Sequence, residues 1–412
     1  MDPVKPSLEL LRSLTDEHVL RALMQRRQLT RAELAAETGL SKPTVGESVR
    51  RLAEAGLVAD TGQRTAGGRG RGRVGSYYAL AGDIGAALAV SIAPEGIVAE
   101  CVDAYGGTAG RAQQKVSRPA RPEQVAVALQ AAAAKAPRGA GLTLRLAVVS
   151  AADPVDRATG RLVHLPGAPF LLGDLDPAGI LAPHVGGPVT VDNDVNWAAR
   201  AERDHARPAT LDDFAYLFLD EGLGCAIISD GQVRRGHSGL AGEVAHLITA
   251  GPHGRAMPLI DVFGELGLRR AGSTAVDAGR LLAAATGPEP AATVTRRALG
   301  RAISGALAAI VALADPELVI IGGSWGSHPA VLHAIAADTA RLPWPVPVRG
   351  AGLTDNPSLA GARIDALSRL RSDIIAAVRS RSATPVRPQH RARAAGAVPP
   401  AGAGPPAGAG PS

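Results

Sequence analysis

The sequence is poor in aromatic residues, in cysteine and in long apolar runs, and each scarcity excludes a class of protein. Phe, Trp and Tyr make up 3% of its 412 residues, so a core must be built mainly from Ala, Val, Leu and Ile. Two cysteines, Cys101 and Cys225, cannot form a disulfide framework, and we expect both to be plain buried residues in a reducing compartment. The absence of an apolar run of ~18 residues and of an apolar signal core near the N-terminus predicts a cytoplasmic protein that contacts no membrane.

Acidic residues are missing from one end of the chain, and the net charge of +6 is unevenly distributed. Residues 1–80 contain 13 Lys or Arg and nine Asp or Glu, whereas residues 381–412 contain four Arg and no acid. The basic N-terminal segment favours a nucleic-acid contact. The Pro/Ala/Gly/Arg tail has too little apolar surface to offset its ordering entropy, so we expect disorder there. The tail could be an extension without a function of its own, or it could contact DNA loosely.

The N-terminal segment contains the start and stop signals of two short helices after a first one over 17–27. Thr30 and Glu33 form a capping-box pattern, and Gly39 suits the end of the helix that follows. Ser41 is a strong N-cap for a second helix, which ends near Gly56. Two helices joined by a Gly-centred turn predict a helix-turn-helix whose second helix enters the major groove. An ordinary helical hairpin is the alternative.

We expect the DNA contacts to come from the exposed side of the second helix and from a basic segment after it. On the helix, the candidates are Ser41, Lys42, Thr44, Gly46, Glu47 and Arg50. Residues 61–75 are dense in Gly and Arg and predict a β-wing, although a flexible linker has the same composition. Glycines allow close approach of the backbone to a duplex, and arginines neutralise phosphates. The wing candidates are Arg69, Arg71 and Arg73.

Residues 81–380 alternate strand-like and helix-like segments, which indicates an α/β domain. The predicted strands are Ala87–Ile92, Leu144–Val149, Val189–Val191, Ala215–Phe218, Gly224–Ile228 and Leu318–Ile321. The predicted helices are Pro122–Ala134, Asn196–His205, Thr293–Ala314 and Ser358–Arg379.

Three polar clusters interrupt this pattern and carry a family resemblance. They read VDNDVNWAARAE from Val191, AGEVAH from Ala241 and DPELVIIGG from Asp315, and SKPTV precedes them in the N-terminal module. In this order they resemble the ROK family of repressors and sugar kinases. The resemblance implies a winged helix-turn-helix over residues 1–80 and an actin-like (ribonuclease H-like) sugar-kinase fold of two subdomains over 81–380. Residues 381–412 would be the disordered tail.

The resemblance also implies an effector site. Asn193 and Asp194 match the family's pair that binds sugar hydroxyls, and Asp194 matches the general base of the kinase members. Glu243 and His246 match the family's Glu-x-Gly-His sugar motif, with Ala245 in place of the glycine. The site could hold a sugar or sugar phosphate, or its polarity could be inherited without a ligand.

Departures from the family pattern argue against a kinase. The first phosphate loop, Asp-x-Gly-Gly-Thr in the family, is taken to be 83–87, and the second is 220–224, where Asp220 and Glu221 would oppose a polyphosphate. The segment that carries the family's Pro-Gly near the sugar reads Ala151-Ala152-Asp153-Pro154 here. The family's zinc-binding cysteines are missing after His246, so we expect no metal and no cofactor.

The sequence therefore predicts a DNA-binding transcriptional regulator, most simply a repressor, with a sugar-kinase-like sensor and no enzymatic activity. Its expected partners are a double-stranded DNA operator, a sugar effector and further copies of itself, as a homodimer or homotetramer. An ATP-dependent sugar kinase with an added DNA-binding module is the main alternative. A constitutive DNA-binding protein with an inactive sensor is another.

Overall fold

The chain forms an N-terminal winged helix-turn-helix followed by two α/β subdomains, as seen in a computed structural model. The structure describes residues 8–65, 75–139, 141–165, 169–171, 173–207 and 211–382. The wing arginines Arg69, Arg71 and Arg73 and the predicted disorder of the tail beyond residue 382 lie outside these described residues.

The N-terminal module folds as its capping signals predict. Thr30 and Glu33 exchange the two hydrogen bonds of a capping box, at 3.2 and 2.8 Å, and the Ser41 hydroxyl accepts from the Thr44 amide. Gly39 ends the preceding helix with a φ of 71°, which favours glycine. Its elements are α1 Leu8–Arg26, β1 Gln28–Thr30, α2 Arg31–Thr38, α3 Lys42–Glu54, β2 Val58–Arg64 and β3 Ser76–Leu80. The strands form an antiparallel sheet in the order β1-β3-β2.

A buried polar network fixes helix α3 against α1, and the sequence pattern does not predict it. Asp16 on α1 is 4% exposed and accepts hydrogen bonds from the Ser48 hydroxyl and the Arg51 guanidinium, each at 2.6 Å. Apolar contacts by Val45 and Leu52 surround it. The network therefore sets the orientation of α3 relative to the rest of the module.

The first subdomain is a five-stranded sheet in the order β6-β5-β4-β7-β8. Strands β4, β7 and β8 run parallel, and β5 and β6 add antiparallel neighbours. Its elements are β4 Ala86–Ala93, β5 Gly96–Asp103, β6 Thr108–Gln114, α4 Pro122–Lys135, β7 Leu144–Ala151, α5 Pro177–Leu181, β8 Val189–Asn193 and α6 Asp194–His205.

The second subdomain has its own five-stranded sheet in the order β11-β10-β9-β14-β15, with β14 parallel to both β9 and β15. Its strands are β9 Phe214–Leu219, β10 Leu223–Ser229, β11 Gln232–Val233, β12 Ile248–Ala250, β13 Ala256–Pro258, β14 Leu318–Gly322 and β15 Val348–Gly350. Its helices are α7 Leu259–Glu265, α8 Ala278–Thr286, α9 Pro290–Ala314 and α10 Pro329–Thr339. A last helix, α11 Pro357–Ser382, follows.

Every strand and helix predicted for residues 81–380 is present, and Cys101 and Cys225 are buried and free as expected. The predicted set omitted strands β5, β6, β11, β12, β13 and β15 and helices α5, α7, α8 and α10. Strand β5 is buried along most of its length and includes Glu100, whose charge is compensated by Arg111 and Arg363. Strand β6 is a mostly polar edge strand, so neither shows the alternation of apolar and polar residues that marks a half-buried strand.

Helix α11 returns from the second subdomain to the first and reaches the DNA-binding module. It packs on β4, β7 and α6, and its later turns contact α1. Arg379 forms an ion pair with Glu17 of α1 at 2.6 Å, and Arg371 donates to the carbonyl of Met24. The apolar core of the module is therefore continuous with that of the first subdomain.

Helix α9 is long and apolar enough, by length and composition alone, to cross a membrane. Half of that apolar stretch is buried within the protein, where Leu299, Ile303 and Leu307 are fully covered. A core helix of a soluble protein has the same properties, so α9 is weak evidence for a membrane span.

Candidate ligand cavity and DNA-contact surface

A cavity of about 620 Å³ lies where the two sheets face each other, and all four predicted effector residues line it. Asn193 and Asp194 stand where strand β8 passes into helix α6. Glu243 and His246 flank a short 3₁₀ turn over Val244–His246 in the second subdomain. A polar cavity at the carboxyl ends of strands is the usual place for a small ligand in an α/β fold.

The start of α6 is held rigidly by its own side chains. Asn193 caps the helix by accepting the Val195 amide at 3.0 Å, and its side-chain amide donates to the carbonyl of Asp153 at 3.4 Å. Asp192 is buried and pairs with Arg235 at 2.6 Å. Asp194 is thereby presented to the cavity from a fixed backbone.

Six carboxyl groups among the described residues line the cavity, and three of them, Asp153, Asp194 and Glu243, have strongly raised pKa values. The pKa of each of these three groups is raised to about 7, and burial is the largest cause. Glu243 contributes to the raised pKa of Asp153, and Asp153, Glu243 and Glu95 contribute to that of Asp194. The three groups therefore interact with one another across the cavity. The sequence flagged Asp153 only as a departure from the family pattern, because its position after β7 gives no sign that its side chain enters the site.

The first phosphate loop was wrongly placed at 83–87. Asp83 is exposed, precedes strand β4 and does not line the cavity, and Gly85 packs against the side chain of Arg145. The turn between β4 and β5 lines the cavity instead, with Ala93, Pro94 and Glu95. The error arose because Asp83-Ile84-Gly85 matches the first three positions of the family pattern. This segment precedes strand β4, whereas the turn that lines the cavity follows β4.

The second loop, 220–224, does line the cavity, but its carboxylates have partners. Asp220 accepts from the Ser324 amide at 2.8 Å. Glu221 binds Arg118, at 2.8 Å, and Arg270. Arg118 also donates to the carbonyl of Pro94 at 2.7 Å. Glu221 therefore carries no uncompensated negative charge, contrary to the prediction, because two arginines neutralise it. These ion pairs form a charge network that connects the two loops.

Metal ligation has no support in the part of the chain that the structure describes, since no group of three His, Cys, Asp or Glu side chains is arranged to hold an ion. His246 reaches the cavity rim, where it is exposed.

The predicted DNA-contact side of α3 is exposed. Ser41, Lys42, Thr44, Glu47 and Arg50 are accessible to solvent, and Gly46 is half-buried. Arg50 forms ion pairs with Glu47 and Glu54, both at 2.7 Å. These exposed pairs are weak, so Arg50 can exchange them for a phosphate at little cost.

Comparison with known proteins gives two family matches. The ROK family model matches residues 88–364, and a winged helix-turn-helix DNA-binding model matches residues 12–59. The first match begins inside strand β4 and so excludes residues 83–87.

Curated relatives match part of the chain. The bifunctional enzyme NanE/NanK of Brucella suis biovar 1 is 32% identical over 144 residues, which are 34% of this chain and 27% of that enzyme. An N-acetylmannosamine kinase of Salmonella typhi is 29% identical over 197 residues, 43% of this chain and 64% of the kinase. The chain thus spans less than two thirds of the length of either relative.

Solved structures share the fold. A ROK family transcriptional regulator, a homologue of the E. coli MLC protein, has a TM-score of 0.59 at 17% identity and covers 90% of this chain and 98% of its own. A ROK family glucokinase from Streptomyces griseus, in complex with glucose and AMPPNP, has a TM-score of 0.52 at 26% identity and covers 68% of this chain and 99% of its own.

Proposed function

Since the chain belongs to the ROK family and carries a winged helix-turn-helix before the family domain, we propose that it is a transcriptional regulator that binds a DNA operator and responds to a sugar-like effector. The observation that carries this proposal is the path of helix α11. Helix α11 contacts α6, which begins at the cavity, and it also contacts α1, the first helix of the DNA-binding module.

The contacts along α11 are close enough to transmit a displacement. A Cβ at Gly361 would lie 1.9 Å from the carbonyl oxygen of Trp197, so the backbones of α11 and α6 touch. One turn later Asp365 pairs with Arg200 of α6 at 2.9 Å. The far end of α11 carries the Arg379–Glu17 ion pair to α1. A ligand that favours one position of α6 would thereby favour one position of the module.

The loops at the cavity support a sensor rather than a kinase. Proline has no amide hydrogen, so Pro94 cannot donate to a phosphate, and Glu95 beside it adds a negative charge. Arg118 lies between this turn and Glu221 and links them. A nucleotide triphosphate bound there would have to displace this network. The alternative activity is that of the kinase relatives, and the fold similarity to a glucokinase favours it.

The test of DNA binding uses the full chain, because deleting residues 1–80 would uncover the side of α11 that packs on α1. Genome-wide mapping of bound sites supplies the operator. We expect Lys42→Ala to weaken operator binding in fluorescence anisotropy at least several-fold, since an N-terminal lysine of α3 faces the phosphates. Lys135→Ala, an exposed lysine on α4, is the control and should bind as the parent does. Equal affinity for all three proteins contradicts the proposal.

The kinase alternative is tested by coupled measurement of ADP release over a panel of hexoses and amino sugars. We expect no sugar-dependent turnover. Turnover that Asp194→Asn abolishes would establish the kinase instead. If operator affinity is the same with and without each ligand that the cavity binds, the protein is a constitutive DNA-binding protein.

We also propose that the protein is cytoplasmic and forms a homodimer or homotetramer. Its ligands would be a double-stranded DNA operator and a sugar or sugar-phosphate effector. A dimer would place two α3 helices on two half-sites about one helical turn apart. Analytical ultracentrifugation with and without operator DNA measures this state.

A further inference from the structure

Asp153 is a buried carboxyl group with an unused hydrogen-bonding atom in the wall of the cavity. Its residue is 2% exposed, and its Oδ2 atom has no hydrogen-bond partner among the described residues. Asp153 lies in the segment where the family resemblance places Pro-Gly near the sugar. Buried polar atoms without partners are costly and rare, and a ligand that donates a hydrogen bond to Oδ2 would remove that cost.

Asp194 and Glu243 line the same cavity, so three carboxyl groups converge where the resemblance implies two. Their mutual repulsion is visible in the raised pKa of Asp194, to which Asp153 and Glu243 both contribute. Burial is the larger cause of that rise.

The nearby cations that the structure describes are engaged elsewhere. Arg235 is bound to Asp192, and Arg111, which lines the cavity, is bound to Glu100. Arg118 and Arg270 are bound to Glu221. Among the described residues, no Lys, Arg or His side chain forms an ion pair with Asp153, Asp194 or Glu243.

From this juxtaposition, and resting on the proposed function, we infer that the cavity takes a sugar bearing a free, protonated amine, whose ammonium group is bound by Asp153 together with Asp194 and Glu243. An ammonium group has three hydrogens to donate and supplies the missing positive charge. A neutral hexose would donate hydroxyl hydrogens but leave the carboxyl groups uncompensated. An N-acetylated sugar has lost both the charge and two of the donors.

The test measures binding to the full chain by isothermal titration calorimetry at neutral pH without DNA. The probes are glucosamine, mannosamine and galactosamine, each beside its parent hexose and its N-acetyl derivative. We expect at least one free amine to bind about tenfold more tightly than both of its neutral counterparts, because charge-assisted hydrogen bonds are about twice as strong as neutral ones.

Two variants locate the ammonium group. Asp153→Asn keeps the shape of the side chain and removes its charge, so the tenfold preference should disappear. Asp83→Asn removes an exposed aspartate of the same subdomain outside the cavity, and it should keep the preference. Circular dichroism of both variants establishes that they fold.

Three outcomes overturn the inference: no free amine binds, the neutral sugar binds as tightly as the amine, or the preference survives in Asp153→Asn. These results are independent of the regulatory proposal, because no DNA is present. Conversely, a failure of Lys42→Ala to weaken operator binding would refute the DNA contact and leave the amine preference standing.

Discussion

Removing the charge of Asp153 should change how the stability of the protein depends on pH. The folded-state pKa of Asp153 is about 7, raised from 3.8 by burial and then by Glu243. A carboxyl group with a raised pKa contributes stability that is complete below its unfolded-state pKa. That stability is lost as the pH rises through its folded-state pKa. The protein without ligand should therefore become less stable from acidic to mildly alkaline pH.

The magnitude follows from the two pKa values. Between about pH 5 and about pH 8, one such group costs at most about 2.6 kcal/mol, at about 1.36 kcal/mol per pKa unit. We expect Asp153→Asn to remove up to this amount of pH dependence. Since it also relieves repulsion on Asp194, the variant should be more stable than the parent at about pH 8.

The assay is urea unfolding at a series of pH values, followed by tryptophan fluorescence. Trp197 on α6 and Trp325 in the second subdomain are both fully buried, so tryptophan fluorescence responds when these parts of the protein unfold. Asp83→Asn is the matched control, and its pH dependence should follow that of the parent. If Asp153→Asn has the same pH dependence as the parent, the carboxyl group is ionised in the folded protein at ordinary cost, and the reasoning is refuted.

Two further predictions concern the DNA-binding module. Asp16→Ala removes the carboxylate that accepts hydrogen bonds from Ser48 and Arg51. It should lower the free energy of unfolding by about 2–4 kcal/mol and weaken operator binding. The control Glu9→Ala changes an exposed residue of the same helix and should have neither effect. An Asp16→Ala protein with parental stability would contradict the role of the network. A triple alanine variant of the wing should flatten the salt dependence of operator affinity by roughly 0.9 log–log units per lost phosphate contact. An unchanged slope would mean that the segment is only a linker. The variant replaces Arg69, Arg71 and Arg73.

The local signals of the sequence were sufficient for most of the secondary structure. Thr30, Glu33, Gly39 and Ser41 act on neighbouring backbone groups, so their capping roles can be predicted from spacing alone, and the structure confirms them. The buried strands β4, β7, β9 and β14 are predominantly apolar and were also predicted from local sequence. Such effects span a few residues and need no knowledge of distant contacts.

The family resemblance supplied the arrangement of the site but not all of its details. Asn193, Asp194, Glu243 and His246 line one cavity, although the two pairs lie far apart in sequence. The phosphate loop was misplaced because a short Asp-x-Gly pattern occurs by chance before the strand that matters. The function of these four residues as an effector site stays a prediction.

Tertiary packing alone decided the features that depend on distant partners. The sequence of α11 predicts a helix but not that it touches both Trp197 and Glu17. Asp153 becomes a buried, interacting carboxyl group only when β7 and the second subdomain close around it. Desolvation and charge–charge interaction depend on distance in space, and residues separated by many positions acquire that distance only through the fold.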